Sequence, residues 1–331
     1  LLEMDVVSIP TYDGFQAAAT ALRMTLRITG RRTVLVSQAI SPRKRRRVEA
    51  YLADAAQVQP LPCDPATGQV DIGGLRQALN GGVAGVYTES PNALGVVETE
   101  LAQVAELCHR QGALLVVGTE PAALGYLPSP ASAGADILCG DIQALGLGLQ
   151  FGGNHGGFIA VHDEPAFVFE LPTRLFGLAP TTQADEIGFA DVAYERTSLA
   201  RREEGVEWVG TAAALGGITA AVYLSLLGPD GLAELGESVA ALTAYAIEQL
   251  SQVPGVQVPF AGSPHWREFA VRYPVPPEAV NRMLRADGIF GGVGPEHVPV
   301  LSGHTSLLAV TEVHTRADVD LLAGALRRVL A

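Results

Sequence analysis

Between residues 33 and 161 the chain alternates short apolar runs with stretches of helical period, and this alternation constrains the fold more than any other feature. The runs at 33–37, 83–87, 113–117, 136–139 and 158–161 have strand length and continuous rather than alternating apolar character, as strands buried on both faces do. Helical patterns at 42–55, 72–80 and 98–111 lie between them. The run 58–62 holds Pro60 and Pro62 and reads as an edge strand, because proline cannot donate to a ladder. Strands separated by helices imply a mainly parallel sheet covered on both faces, in an order the pattern does not set. A first helix runs from Asp13, a possible cap, to Gly30, with Phe15, Ala19, Leu22 and Leu26 on its apolar face.

Beyond 161 the pattern changes. Residues 172–207 lack strong periodicity and read as a long loop with a short helix. Helices at 211–227 and 231–252 are separated by the breaker Gly228-Pro229-Asp230. Strands at 256–258, 268–272 and 307–311, with helices at 277–287 and 316–330, then describe a small α+β unit. A chain of 331 residues is long for one core, so two domains are expected, 1–238 and 239–331.

A net charge of −13 argues against a nucleic-acid partner. The one basic run, Arg43-Lys44-Arg45-Arg46-Arg47, follows Ser41-Pro42 and reads as a solvated helix face. Cys63, Cys108 and Cys139 have no metal or disulfide spacing and read as small core residues of a reducing compartment. No uninterrupted apolar stretch approaches membrane-span length and no signal peptide opens the chain, so a cytoplasmic protein is expected. The start at Leu1, inside what reads as the end of an element, suggests that further residues precede it in the natural protein or its relatives.

One count outweighs the rest: the sequence contains a single lysine, Lys44. No other side chain can form a Schiff base with an aldehyde cofactor. The glycine-rich stretch 140–157 has neither a phosphate-loop lysine nor a strand–GxGxxG–helix setting, so nucleotide binding is not expected. It reads either as a close-packed turn or as part of a site. Tyr12-Asp13-Gly14 opens the first helix, where free N–H groups favour an anion; Asp13 supplies that charge itself, so no phosphate is expected there. His155 has no metal partner at ligand spacing and reads as a hydrogen-bonded structural histidine. Ser90-Pro91-Asn92 follows a strand, and either a pocket wall or a plain turn suits it.

A family resemblance rests on Tyr12-Asp-Gly-Phe-Gln-Ala-Ala-Ala, Glu89-Ser-Pro-Asn-Ala-Leu-Gly95, Gly134-Ala-Asp-Ile137 and Gly140-Asp-Ile-Gln143 with Phe151-Gly-Gly-Asn-His155. Tyr223-Leu-Ser-Leu-Leu-Gly-Pro-Asp-Gly-Leu232, Glu268-Phe269 and Val310-Thr-Glu-Val313 follow in the same order. Over residues 4–331 the chain resembles the alpha subunits (subunit 1) of glycine dehydrogenase (decarboxylating), the P protein of the glycine cleavage system. The resemblance implies the pyridoxal-phosphate (PLP) transferase fold type I, with a large α/β domain and a smaller C-terminal α+β domain. It also implies a homologous beta chain that carries the PLP and its lysine, in a heterotetramer that serves the H protein. Gln143 then stands in the lysine slot, and Thr119, with Glu120 beside it, where an aspartate would hold the pyridine nitrogen.

The implied role is a non-catalytic subunit: no catalytic residue, metal or bound cofactor, and a vestigial pocket of Tyr12, Asp13, Ser90, Asn92, Thr119, Glu120, Gln143 and His155. Glycine decarboxylation and aminomethyl transfer to the lipoyl arm would proceed on the beta chain. The sequence departs from the resemblance at Glu204-Gly-Val-Glu-Trp-Val-Gly210, where Val206, Trp208 and Val209 need covering, Trp208 either at a subunit contact or in its own core beneath the long loop. That segment keeps an alternative open: a degenerate stand-alone scaffold, or a homodimer without a beta partner.

Overall fold

A computed structural model describes the chain except Val192, Thr197, Glu203, Glu204, Glu207, Trp208, Ala212, Val298 and Ala331. Strand β1 (Val6–Val7) precedes helix α1 (Gly14–Thr29) and β2 (Thr33–Ser37). Then come α2 (Pro42–Leu52), β3 (Gln57–Leu61), α3 (Ile72–Ala78), β4 (Val83–Glu89), α4 (Leu101–Arg110) and β5 (Leu114–Gly118). Strands β6 (Ile137–Asp141) and β7 (Gly157–Val161) flank the glycine-rich loop, and the short α5 (Pro165–Val168) follows.

These strands form a seven-stranded sheet in the order β1-β7-β6-β5-β4-β2-β3. Strands β3, β2, β4, β5 and β6 run parallel, while β7 and β1 join antiparallel at one edge. Proline-bearing β3 lies at the other edge. Side chains alternate across the sheet, as the strand period requires. Leu35, Val86, Leu115 and Leu138 pack on one face with α4, and Val34, Val36, Val116 and Ile137 on the other with α1. Fully burying one such side chain stabilises the fold by about 1.5–3 kcal/mol.

Helix α1 has the expected caps: Asp13 accepts the Gln16 N–H, and Gly30 closes the helix at φ 68°, a left-handed conformation that glycine adopts without strain. Its alanine-rich inner side lets it lie against β6 and β7.

The stretch 172–207 departs from expectation. It contains the antiparallel hairpin β8 (Phe176–Pro180) and β9 (Ile187–Asp191) and the one-turn α6 (Ser198–Arg201). Helix α7 (Ala214–Ser251) breaks at Gly228, whose φ of 62° and ψ of −176° are not helical, so the expected pair of helices is present. Helix α7 is long and apolar enough to cross a membrane by length and composition, a property the sequence pattern had not suggested across the break. Its second half instead contributes Ala246 and Leu250 to the core of the C-terminal unit. That unit joins β10 (Glu268–Arg272) and β11 (Thr305–Ala309) with α8 (Pro277–Ala286) and α9 (Arg316–Val329). The strand expected at 256–258 is a single bridge, Gln257 to Arg272.

Large apolar side chains remain outside both cores. Leu215, Ile218, Val222 and Leu226 are exposed along the first half of α7, Leu226 by 80%. The loop before β7 exposes Leu149 and Phe151, the latter by 99%. The hairpin exposes Leu178, Ile187 and Phe189, with Phe176 stacked on Phe189.

Candidate ligand site at the carboxyl end of the sheet

Strands β4, β5 and β6 end at Glu89, Gly118 and Asp141, and all three residues border one cavity of about 380 Å³. This is the end of a parallel sheet where ligands bind, beside the point where the strand order reverses between β2 and β4. Helix α2 adds Lys44, the glycine-rich loop adds Gln143 and Ala144, and the C-terminal unit adds Arg267.

Lys44 corrects the reading of the basic run. Arg43, Arg46 and Arg47 are exposed, but Lys44 turns inward and pairs with Glu89. Helical spacing explains this, because Lys44, Val48 and Leu52 fall at i, i+4 and i+8, and Val48 and Leu52 are wholly buried. Glu89 also accepts the Tyr87 hydroxyl at 2.8 Å. Burial alone would lower the Lys44 pKa; the charge and hydrogen bond of Glu89 outweigh it and hold the ammonium above its ordinary value. Burial, with Glu89 beside it, pushes the Tyr87 phenol well up.

On the opposite wall Arg267 pairs with Glu120, while Glu312 lies 4.0 Å from the same guanidinium. The Glu120 carboxylate meets Arg267 as a charge contact without the geometry of a directed hydrogen bond. Burial pushes Glu120 to about 7 even with Arg267 opposing it. Glu268 reaches about 7 by burial, with the Glu120 charge adding to the rise.

Two carboxylates occupy the amino end of α1. Asp13 caps it through Gln16, and Asp141 accepts the Gly14 N–H at 3.2 Å and the Gln143 N–H at 2.6 Å. Arg47 sits 3.6 Å from Asp13 and 4.4 Å above the Phe15 ring.

Of the residues named from the sequence, Thr119, Glu120 and Gln143 line the cavity. The Thr119 hydroxyl donates to the Ser90 carbonyl, and the Gln143 amide donates to the Gly148 carbonyl. Tyr12 is exposed at the start of α1. Ser90 is buried and borders a different cavity, beside Glu98. Asn92 is a turn residue, accepting the Leu94 N–H and donating to Gly68. His155 is exposed and takes part in no hydrogen bond among the described residues, so it is not the satisfied structural histidine expected. Trp208 lies outside the described residues; its neighbour Val209 is buried in this chain and donates to the Pro172 carbonyl, so it needs no outside cover.

Sequence reasoning missed Glu89, Asp141 and Arg267. Glu89 was legible as the acidic end of a buried strand, whereas nothing local marks Arg267. Among the described residues no His, Cys, Asp and Glu side chains gather into a group that could hold a metal ion.

The sheet, the cavity at its carboxyl end and the small unit that closes one wall define the fold type I architecture of PLP-dependent enzymes. A crystal structure of an inhibitor-bound glycine decarboxylase (P-protein) superposes with a TM-score of 0.88 at 36% identity, covering 99% of this chain and 72% of that one. A sphingosine-1-phosphate lyase from Burkholderia pseudomallei shares the fold alone, at 16% identity and a TM-score of 0.67 over 98% of this chain and 70% of the other.

The family model of the glycine cleavage system P-protein matches residues 1–326, and the chain belongs to that family. Probable glycine dehydrogenase (decarboxylating) subunit 1 of Aeropyrum pernix is 35% identical over 333 aligned positions, and that of Saccharolobus islandicus 33% over 332. Each alignment spans the whole of this chain and 71% of the relative.

Proposed function

We propose that this chain is the non-catalytic alpha subunit of a two-chain glycine decarboxylase, with PLP carried by a homologous beta subunit. The observation that carries the reading is the fate of Lys44: the only lysine side chain is a counter-ion to Glu89, which holds its ammonium above the ordinary pKa and so disfavours attack on a carbonyl. The other residues do not fit PLP either. The phosphate's place at the amino end of α1 is taken by Asp13 and Asp141. A third negative group about 4 Å away would cost roughly 1–4 kcal/mol per unit charge. Thr119 spends its proton on Ser90, and Gln143 is an amide.

The beta chain would decarboxylate glycine and pass the aminomethyl group to the lipoyl arm of the H protein in the cytoplasm. The part of this chain is to complete the assembly. The exposed stripe of α7, the Phe151 loop and the hairpin support a protein partner over a solitary scaffold, because so much exposed large apolar surface favours association. Ten such side chains bury of the order of 1,000 Å², the scale of a specific interface. Without a beta chain the same surfaces would pair two copies of this one. The test is co-expression with a beta-type chain: co-elution, and activity that depends on this chain, support the reading. A clean monomer in both the presence and absence of the partner contradicts it.

A further inference from the structure

Helix α7 first meets the large domain closely and then parts from it. At the close contact, a Cβ on Gly125 would collide with the Leu232 carbonyl, and one on Gly236 would press on Tyr126. Trp266 Nε1 donates to the Gly236 carbonyl at 3.1 Å and ties the C-terminal unit to the same place. Further along, Ala240, Ala244 and Ile247 of α7 border a cavity of about 640 Å³ instead of a packed neighbour. Val97 and Leu127 wall it on the side of the large domain, and the loop that ends at His265 on the side of the C-terminal unit. The Val97 N–H donates to the Pro264 carbonyl at 2.9 Å, which fixes that loop in place. Joints between domains are frequent ligand sites, and the volume is that of a small-molecule site.

His265 gives this wall an unmet chemical need. Its Nδ1 lies 2.8 Å from the Ser263 carbonyl oxygen, which can only accept, so Nδ1 carries the proton and Nε2 is a bare lone pair. Nε2 is buried and has no hydrogen-bond partner among the described residues. Burial holds the ring below the ordinary histidine value, which keeps it neutral and Nε2 an acceptor. A buried acceptor without a donor is costly until a donor reaches it. No lysine or arginine among the described residues lines the cavity, and Glu237 and Glu248 at its rim are exposed to water. An ion of either sign would give up its hydration there without a buried counter-charge.

We propose that this cavity binds a small uncharged molecule with an apolar body and one N–H or O–H group, which donates to Nε2 of His265. It shares no lining residue with the sheet-end cavity, so its test can fail without touching the subunit reading. The purified chain is titrated calorimetrically with indole, whose N–H can only donate, and with 1-methylindole, which keeps the ring and lacks the donor. Saturable binding of one indole per chain, with a Kd of about 1 mM, is expected. The 1-methylindole is expected to bind about tenfold more weakly, the loss of one hydrogen bond. His265→Phe should abolish that preference. Should this variant not fold, Ala244→Leu, at an exposed helix position, fills the cavity without touching the histidine and has to abolish indole binding. Absence of saturable indole binding overturns the proposal. So does equal binding of the two ligands by the parent chain, which would mean apolar sorption, or a preference that survives His265→Phe. Indole binding unchanged by Ala244→Leu would place it elsewhere, and displacement by ethylammonium chloride would assign the cavity to a cation; either result overturns it too.

Discussion

The cavity at the sheet end and the apolar face around α7 have opposite economies of contact. In the cavity the charged groups are paired within the chain: Lys44 with Glu89, Arg267 with Glu120, and the amino end of α1 with Asp13 and Asp141. Outside the cores, on the hairpin, α7 and the loop before β7, Leu178, Leu215, Ile218, Leu226 and Phe151 are exposed. A site that has closed its charges upon itself no longer needs a cofactor to be stable. A surface that leaves clustered apolar groups in water gains from a partner. In the proposed reading this chain contributes its surface, and the chemistry belongs to the beta subunit.

The largest effect that can break this comparison is at Lys44. Lys44→Met strands Glu89 beneath the sheet end, and removing one partner of a buried pair costs about 3–5 kcal/mol. Urea unfolding measures it, and adding Glu89→Gln to the same chain is expected to recover more than half. A loss below 1 kcal/mol would mean that the pair is solvated and the cavity not closed.

Next in size is a pH dependence. Glu98, Glu120 and Glu268 are held at about 7 by burial, above the usual carboxylate range. The folded chain therefore keeps protons that the unfolded chain releases from about 4.5 upward, and stability falls as pH rises from there to about 7. Urea unfolding at pH 5 and pH 8 is expected to differ by about 1–3 kcal/mol per group, with pH 5 the more stable. Glu98→Gln should flatten part of the slope, since Glu98 is deeply buried among the Val70 N–H and the Asn92 amide. A rise in stability over the same window would contradict these burials.

The outer face is sharpened by Ile218→Glu. Association with the beta chain, or with a second copy, should weaken by about 2 kcal/mol, roughly thirtyfold. The isolated chain should stay within about 0.5 kcal/mol of its parent, as exposed positions do. The smallest expected effect is none. Gln143→Lys should restore no decarboxylation to the chain alone, because Asp13, Asp141 and Thr119 still oppose the cofactor; an absorbance band of a protonated aldimine would show otherwise.

Much of the sheet was legible because its strands are buried on both faces and its helices carry readable caps, Asp13 and Gly30 among them. The hairpin β8–β9 was not: Phe176 and Leu178, and Ile187 and Phe189, do alternate with glycine and alanine, but each alternation spans only five residues and neither face packs into a core. Two-residue β1 is too short to leave a pattern. Lys44 is the instructive miss. As composition, the run 43–47 is a solvated face; as helical period, Lys44 shares a side with Val48 and Leu52, and that spacing was there to be used. The pairing of Arg267 with Glu120 spans 147 positions, and no local pattern encodes such a contact.

The central claim is that this chain serves an enzyme whose cofactor lies in another chain. It is tested most directly by reducing the co-expressed complex with borohydride in the presence of PLP and locating the pyridoxyl group by peptide mass. The account requires the label on the beta-type chain and none on Lys44, whose ammonium is held by Glu89. A stoichiometric pyridoxyl group on Lys44 would contradict it.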